Sequence, residues 1–210
     1  MLRWAGLGGV IYVVLFVVAQ ILIIGGQPQG DAPPAKVIAY FSEGSHRNKI
    51  LVGWIVLVVG VFFFLWFLGA LTQLVRRQAG DGLLATVTTV GGAVYAALTL
   101  AAFSVNAGIR TMSDDTYYHE VYPGLIHAAG DTMYVLHSAG GAAIGAMIVA
   151  VSLGALGARA IPTWLGWLSV AAGIVAVVSI FLIPWFVIAA WLVVAGILVT
   201  RAHAGAEPAV

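Results

Sequence analysis

Three of the five histidines in this chain, His119, His127 and His137, lie within nineteen residues of one another in the stretch HEVYPGLIHAAGDTMYVLH. Glu120 and Asp131 lie among them. Imidazole and carboxylate groups bind transition metals and transfer protons near neutral pH, so a metal site or a catalytic site is expected here before anywhere else in the sequence. The alternative is that the stretch only forms the polar end of a membrane helix.

The metal hypothesis depends on where a helix begins. Pro123 suits the first turn of a helix, and on a helix that starts there His127 and Asp131 are neighbours on one face. These two side chains, together with His119, are then the candidate ligands of a metal ion. In the alternative, Asp131 caps a helix that starts at Thr132, and His127 belongs to a loop. The sequence leaves both alternatives open and indicates no particular cofactor.

Several familiar enzyme sites are not supported. The pair His119-Glu120 would begin a zinc-protease motif, but residue 123 is a proline where that motif needs its second histidine. A bis-histidine haem site needs two embedded histidines on different helices, and only His137 is embedded in an apolar segment. The chain contains no GxSxG motif, which argues against a serine hydrolase, and no cysteine, which excludes disulfides and thiolate metal sites.

His137 indicates a binding pocket. It lies about 9 Å beyond Asp131 along a helix, inside an apolar segment, where an ionisable residue is costly unless it faces the bundle interior or water. Gln20 and Asn106 lie at a similar depth near the ends of two other apolar segments, and Tyr134 is one turn from His137. We predict that these five residues line a ligand-binding pocket. The alternative is that His137 only forms a hydrogen bond between helices.

Membrane helices must position these residues. Hydrophobic residues make up 62% of the chain and charged residues 8%, whereas soluble domains carry about 25% charged residues. A spanning helix needs about 20 mostly apolar residues. The segments that meet this requirement are 4–25, 50–75, 83–108, 132–157, 163–182 and 185–200. We predict an all-α, six-helix, multi-pass bundle over residues 1–202, surrounded by the lipid of the cell membrane, and a short cytoplasmic tail over 203–210. A net charge of +1 gives no indication of nucleic-acid binding.

The last two segments form one apolar run of about 38 residues around Ile183-Pro184. That run is too long for one helix across ~30 Å of hydrocarbon at ~1.5 Å per residue. Proline also disfavours the helical conformation in the residue before it. The sequence therefore predicts a tight hairpin at Pro184, with a single kinked helix as the alternative.

The arginine pair Arg76-Arg77 sets the expected orientation. It lies in a very short loop, where the positive-inside rule carries most weight, so both termini are predicted to be cytoplasmic. Two long outer loops, 26–48 and 109–131, then face the outside. The first contains DAPPAKVIAYFSEG, in which Asp31 can cap a short amphipathic helix. Such a helix lies either on the membrane surface or over a cavity as a lid.

Three segments carry a resemblance: AKVIAYFSEGSHRNKILVGW, VFFFLWFLGAL and SIFLIPWFVIAAWLVV. In this order the chain resembles a family of bacterial integral membrane proteins of unknown function from high-GC Gram-positive genomes. The resemblance implies six helices and provides no functional residues. From the residues alone we expect a membrane protein that binds a small ligand or a membrane partner subunit in a polar, outward-facing pocket. The alternative is a metal- or histidine-dependent enzyme at the outer face.

Overall fold

The computed structural model describes residues 2–80, 82–111, 121–179 and 182–204. Within these residues all regular structure is α-helical. The seven helices are α1 (Leu2–Ile24), α2 (Pro34–Ser42), α3 (Gly44–Ala79), α4 (Leu83–Thr111), α5 (Pro123–Gly157), α6 (Thr163–Ala176) and α7 (Leu182–Ala204).

Five of these helices, α1, α3, α4, α5 and α7, are long and apolar enough to cross a membrane. α6 is also apolar, but its 14 residues make it shorter. A multi-pass helical membrane bundle, as predicted from composition, is therefore confirmed. The count of six crossings and the cytoplasmic position of both termini stay predictions.

The helices other than α2 form a closed ring. Each packs on the next one along the chain, and α7 closes the ring by packing on α1. Successive helices run in opposite directions: Trp54 of α3 reaches Ser104 near the end of α4, and Gly130 near the start of α5 lies against Arg110. We refer to the end of the ring where α1 and α4 end and α5 begins as the α2 end. The other end, where α3 and α5 end, is the opposite end.

Glycine allows α5 and α6 to approach closely. A Cβ atom added at Gly173 would lie 2.8 Å from the carbonyl oxygen of Gly145. At Gly91 of α4, an added Cβ would lie 2.6 Å from the carbonyl oxygen of Ala143. Small residues at such contacts are typical of membrane helices, because the packing of close backbones holds them together.

The chain reverses between α6 and α7. α6 ends at Ala176, and the Ser179 hydroxyl then donates a hydrogen bond to the Ser138 carbonyl oxygen at 2.9 Å. Ser138 is about 28 Å along α5 from its end at Gly157, since a helix rises about 1.5 Å per residue. Residues 163–204 are therefore two antiparallel helices rather than one kinked helix. The break comes before Pro184, which lies in the first turn of α7, where its missing N–H is tolerated.

The start of α5 decides between the two interpretations of the histidine-rich stretch. α5 begins at Pro123, as one of the two alternatives predicted, and the other, in which Asp131 caps a helix that starts at Thr132, is wrong. His127 and Asp131 are one turn apart on the same helix. Asp31 does not cap α2 either, because Pro33 holds the N-cap position without a side-chain hydrogen bond.

Candidate functional site

One face of α4 carries a line of buried polar side chains. Tyr95, Thr99, Asn106 and Arg110 follow one another at intervals of four, seven and four residues, which keeps them on one side of a helix. None is more than 8% exposed. Three side chains from other segments form hydrogen bonds with them: Tyr12, His137 and Gln27. We name these seven residues the polar column.

The column begins near the middle of the bundle with a pair of tyrosines. The hydroxyl oxygens of Tyr12 and Tyr95 are 2.5 Å apart, and either can donate the hydrogen bond. Both side chains are fully buried, and the Phe64 ring lies against both of them. Buried tyrosine hydroxyls need partners, so this pair joins α1 to α4 by satisfying both groups at once.

His137 lies in the next layer toward the α2 end. Its Nδ1 atom is 3.3 Å from the Thr99 hydroxyl oxygen. Its ring stacks on Trp185 of α7 with 4.0 Å between ring centroids and 6° between the planes, and Phe16 and Phe103 flank it. The Nε2 atom is buried and has no hydrogen-bond partner among the described residues. The hydrogen bond between helices, which was the alternative role of His137, is therefore present, with Thr99 of α4 as the partner.

The third layer contains two of the predicted pocket residues. Gln20 follows Phe16 by four residues on α1, and Asn106 follows Phe103 by three on α4, so both lie just beyond His137 toward the α2 end. Gln20 Oε1 and both amide atoms of Asn106 are buried, with no hydrogen-bond partner in the part of the chain that the structure describes. Buried polar atoms are normally satisfied by protein, water or ligand, so this layer is suited to hold a polar guest.

A cleft of about 190 Å³ opens beside this layer at the α2 end. Its polar lining consists of Gln27, Arg110, His127 and Asp131. Arg110 donates a hydrogen bond to the side-chain oxygen of Gln27, and its guanidinium lies 5.4 Å from the centroid of the Phe41 ring. The cleft thus brings a cation, a carboxylate and an imidazole together on a partly apolar floor.

α2 covers this cleft. Val37 and Phe41 are each 1% exposed and pack against Ile126 of α5. The face of α2 that carries Val37 and Phe41 is therefore turned to the protein and forms one wall of the cleft, whereas Ile38 on the same helix is exposed. Arg47 donates hydrogen bonds to the carbonyl oxygens of Phe41 and Ser42 at 2.9 and 3.0 Å, and these bonds tie the end of α2 to the start of α3.

Tyr40 on α2 also contacts the start of α3. The His46 ring stacks on it at 3.8 Å between centroids, and His46 Nδ1 is 2.9 Å from the Tyr40 carbonyl oxygen. Partial burial raises the pKa of the Tyr40 hydroxyl; the positive charge of Arg110 opposes this shift, and the carboxylate of Glu43 adds to it. Tyr40 is therefore a neutral hydrogen-bonding group at physiological pH.

The structure separates the predicted site residues into two groups. His127 and Asp131 line the cleft, whereas His137, Asn106 and Gln20 lie in the layers beneath it. Tyr134 is 49% exposed and does not line the cleft. His119 lies outside the described residues. Among the residues described, no three histidine, aspartate or glutamate side chains form a group that could hold a metal ion, so the three-ligand metal site stays a prediction.

Sequence reasoning missed Arg110, Thr99 and Tyr95. Their signal was present as polar residues at intervals of four and seven in an apolar segment, the spacing of one helix face. Trp185 and Tyr12 had no comparable signal, because isolated aromatic residues are common in membrane helices and only the folded ring brings these two against α4 and α5.

Comparison with known proteins returned no relatives: no family model, no curated protein and no solved structure matches the chain. The resemblance to a bacterial membrane family therefore stays a prediction, and no residue role is transferred from another protein. What is established is a multi-pass helical membrane protein in which a buried polar column leads to a small covered cleft.

Proposed function

We propose that this protein binds a small molecule with both a positive and a negative group in the cleft beneath α2. One observation carries the proposal: Arg110 and Asp131, of opposite charge, line the same small cleft. Its volume of about 190 Å³ is below the roughly 300–1,000 Å³ that is typical of sites for drug-sized ligands. The ligand is therefore small.

Each part of the lining has a role in this proposal. The Arg110 guanidinium offers paired N–H donors to a carboxylate or phosphate group. Asp131, one turn from His127 on α5, accepts hydrogen bonds from an amine. Phe41 and Val37 cover the apolar part of the ligand, and Asn106 beneath Arg110 provides a place for bound water. α2 forms one wall of the cleft, and the ligand enters past Asp131, which is exposed.

The orientation supports a site that faces the outside. Arg76 and Arg77 end α3 at the opposite end of the ring, and arginines in short loops favour the cytoplasmic side. The cleft at the α2 end is then exposed to the exterior.

Thermal unfolding of the detergent-purified protein tests the proposal with three probes: alanine, propionate and ethylamine. Alanine carries both charged groups, and each of the others carries one. A ligand at 100 times its Kd stabilises a protein by about 2.7 kcal/mol, so a binding probe raises the unfolding temperature measurably. We expect alanine to stabilise the protein more than either single-charge probe. Equal effects of all three would contradict the proposal.

Two substitutions of the same type identify the site. Asp131→Asn removes a carboxylate from the cleft, whereas Asp31→Asn removes one from the neighbouring loop surface, outside this cleft. We expect Asp131→Asn to abolish the preference for alanine and Asp31→Asn to keep it. If both variants respond like the wild type, the probe binds elsewhere and this cleft is not the site.

A metal-dependent enzyme is the second candidate, because His127 and Asp131 are one turn apart and line the same cleft. Metal analysis of the purified protein separates the two functions. Stoichiometric metal that is lost in His127→Gln, and kept in His46→Gln, would favour the enzyme. Protein purified without metal that still responds to alanine would favour the binding function.

A further inference from the structure

A second cleft, of about 420 Å³, lies at the opposite end of the ring between α3, α5, α6 and α7. Its walls are mainly apolar. They include Leu71, Leu74, Val151, Leu165, Val194 and Leu198. This cleft is more than twice as large as the one beneath α2, and it belongs to the part of the bundle that contains none of the polar column.

The space comes from small side chains and from the way α6 packs. Ala155 of α5, Ala195 of α7 and Ser169 of α6 line the cleft, where larger residues would fill it. α6 packs more extensively on α5 than on α7, so the two last helices leave a gap between them. An apolar gap between membrane helices is filled by a hydrocarbon chain in a bilayer, because water gains no hydrogen bonds there.

The mouth of the cleft is positively charged. Arg201 lines it, and Arg76, Arg77 and Arg159 are exposed at the same end of the bundle. Of the described residues at this end, none is acidic; the sequence also has Asp81 and Glu207 nearby, outside those residues. Gln78 adds a neutral hydrogen-bonding group to the lining. Clustered arginines next to a membrane attract anionic headgroups, and a guanidinium binds phosphate through paired N–H donors.

Tryptophans mark the level of the headgroups. Trp164 and Trp167, in the first turns of α6, are 69% and 58% exposed. Tryptophan is enriched at the boundary between hydrocarbon and water, so the start of α6 lies at that boundary. The cleft therefore begins at headgroup level and continues into the hydrocarbon, which matches the shape of a phospholipid.

We propose that this cleft is a specific site for an anionic phospholipid, with one acyl chain between α6 and α7 and the phosphate on Arg201. Neutral lipids have the same acyl chains but lack the net negative charge, so Arg201 is the residue that discriminates between them.

Native mass spectrometry of the full chain, released from nanodiscs with equal amounts of phosphatidylglycerol and phosphatidylcholine of identical acyl chains, tests this. We expect the wild type to retain one molecule of phosphatidylglycerol in preference to phosphatidylcholine. Arg201→Gln should reduce that preference about fivefold, the change that corresponds to one arginine contact of about 1 kcal/mol at an anionic surface. Arg77→Gln, a matched loss of charge outside the lining of the cleft, should reduce the preference clearly less, because its charge acts on the headgroup only through screening solvent.

Ala195→Phe tests the position of the acyl chain, since it fills the cleft and should abolish retention of both lipids. Ser169→Leu fills the same space from α6, and it replaces Ala195→Phe in the experiment if that variant does not fold. If the wild type retains the two lipids equally, an acyl chain fills the gap without any recognition of the headgroup, and the proposal is wrong. If Arg201→Gln and Arg77→Gln reduce the preference for phosphatidylglycerol equally, the lipid is attracted by the surface charge alone, and the proposal is wrong. If the variant with the filled cleft, Ala195→Phe or Ser169→Leu, retains as much lipid as the wild type, the lipid binds at another place.

Discussion

His137 packs flat against Trp185 and forms a hydrogen bond with Thr99, so its ring stabilises the folded bundle in two ways. His137→Gln keeps a hydrogen-bonding side chain but loses the stack, which is worth about 0.5–1.5 kcal/mol. We expect the free energy of unfolding to fall by about 1 kcal/mol in a denaturant titration of the detergent-solubilised protein. The matched variant His127→Gln, in the half-exposed cleft, is expected to change it by less than about 0.5 kcal/mol. Similar values for both variants would rule out a special role for the stack.

The two tyrosines of the polar column allow a sharper test of a buried hydrogen bond. Tyr12→Phe or Tyr95→Phe leaves the other hydroxyl buried with one partner fewer, which costs about 1–3 kcal/mol. The double variant removes both hydroxyls together, so neither of the two is left without the other as a partner. We therefore expect the double substitution to lower the free energy of unfolding by less than the sum of the single ones, measured as a double-mutant cycle. Additive effects would mean that the two hydroxyls do not depend on each other.

Among the elements, the contact of α5 with α6 leaves no room for a larger side chain. A Cβ at Gly145 would lie 2.5 Å from the carbonyl oxygen of Gly173, too close unless the helices separate. Gly145→Ala is therefore expected to lower the free energy of unfolding by about 1–3 kcal/mol. Gly69→Ala in α3, where nothing lies within 4 Å, should be neutral or stabilising by up to about 1 kcal/mol. Thermal unfolding of both variants checks this, and a stable Gly145→Ala protein would contradict the close packing.

The elements also show which parts of the fold the sequence could predict. Runs of about 20 apolar residues locate membrane helices because only a helix satisfies the backbone in lipid. The sequence left the start of α5 open between Pro123 and Thr132, because His127 and Asp131 fit a loop as well as a helix. They are tolerated in a helix here because that part of it borders the cleft. The end of α6 was missed because residues 177–183 are nearly all apolar and contain no polar residue strong enough to mark a turn.

For the site, the sequence predicted that polar groups would gather near His137, and Gln20 and Asn106 do lie one layer away. The stack on Trp185 and the covering position of α2 could not be predicted, because both depend on contacts between segments far apart in the chain. Hydrophobic periodicity shows which face of a helix is buried. It does not show which other helix buries it.

At the scale of the whole molecule, the orientation in the membrane is open to a direct test. The Arg76-Arg77 pair predicts that the opposite end is cytoplasmic. Reporter fusions after Arg77 and after Arg201 are expected to give cytoplasmic signals, and a fusion within 26–48 an external one. Alkaline phosphatase and green fluorescent protein fusions provide the measurement, since each is active on one side only. External signals after both Arg77 and Arg201 would reverse the assignment of the two clefts. An external signal after Arg201 alone would contradict the structure, in which the ends of α3 and α7 line the same cleft.

The polar column has a consequence for the movement of protons. It stops at Tyr12 and Tyr95, and from there to Leu83 at the opposite end α4 continues for about 18 Å at 1.5 Å per residue. The threonines in that part, Thr86, Thr88 and Thr89, donate to the carbonyl oxygens four residues before them. Between Leu83 and Val94, α4 carries no ionisable side chain. A proton that reached the polar column from the α2 end would therefore find no ionisable group on α4 beyond Tyr95 to take it toward the opposite end.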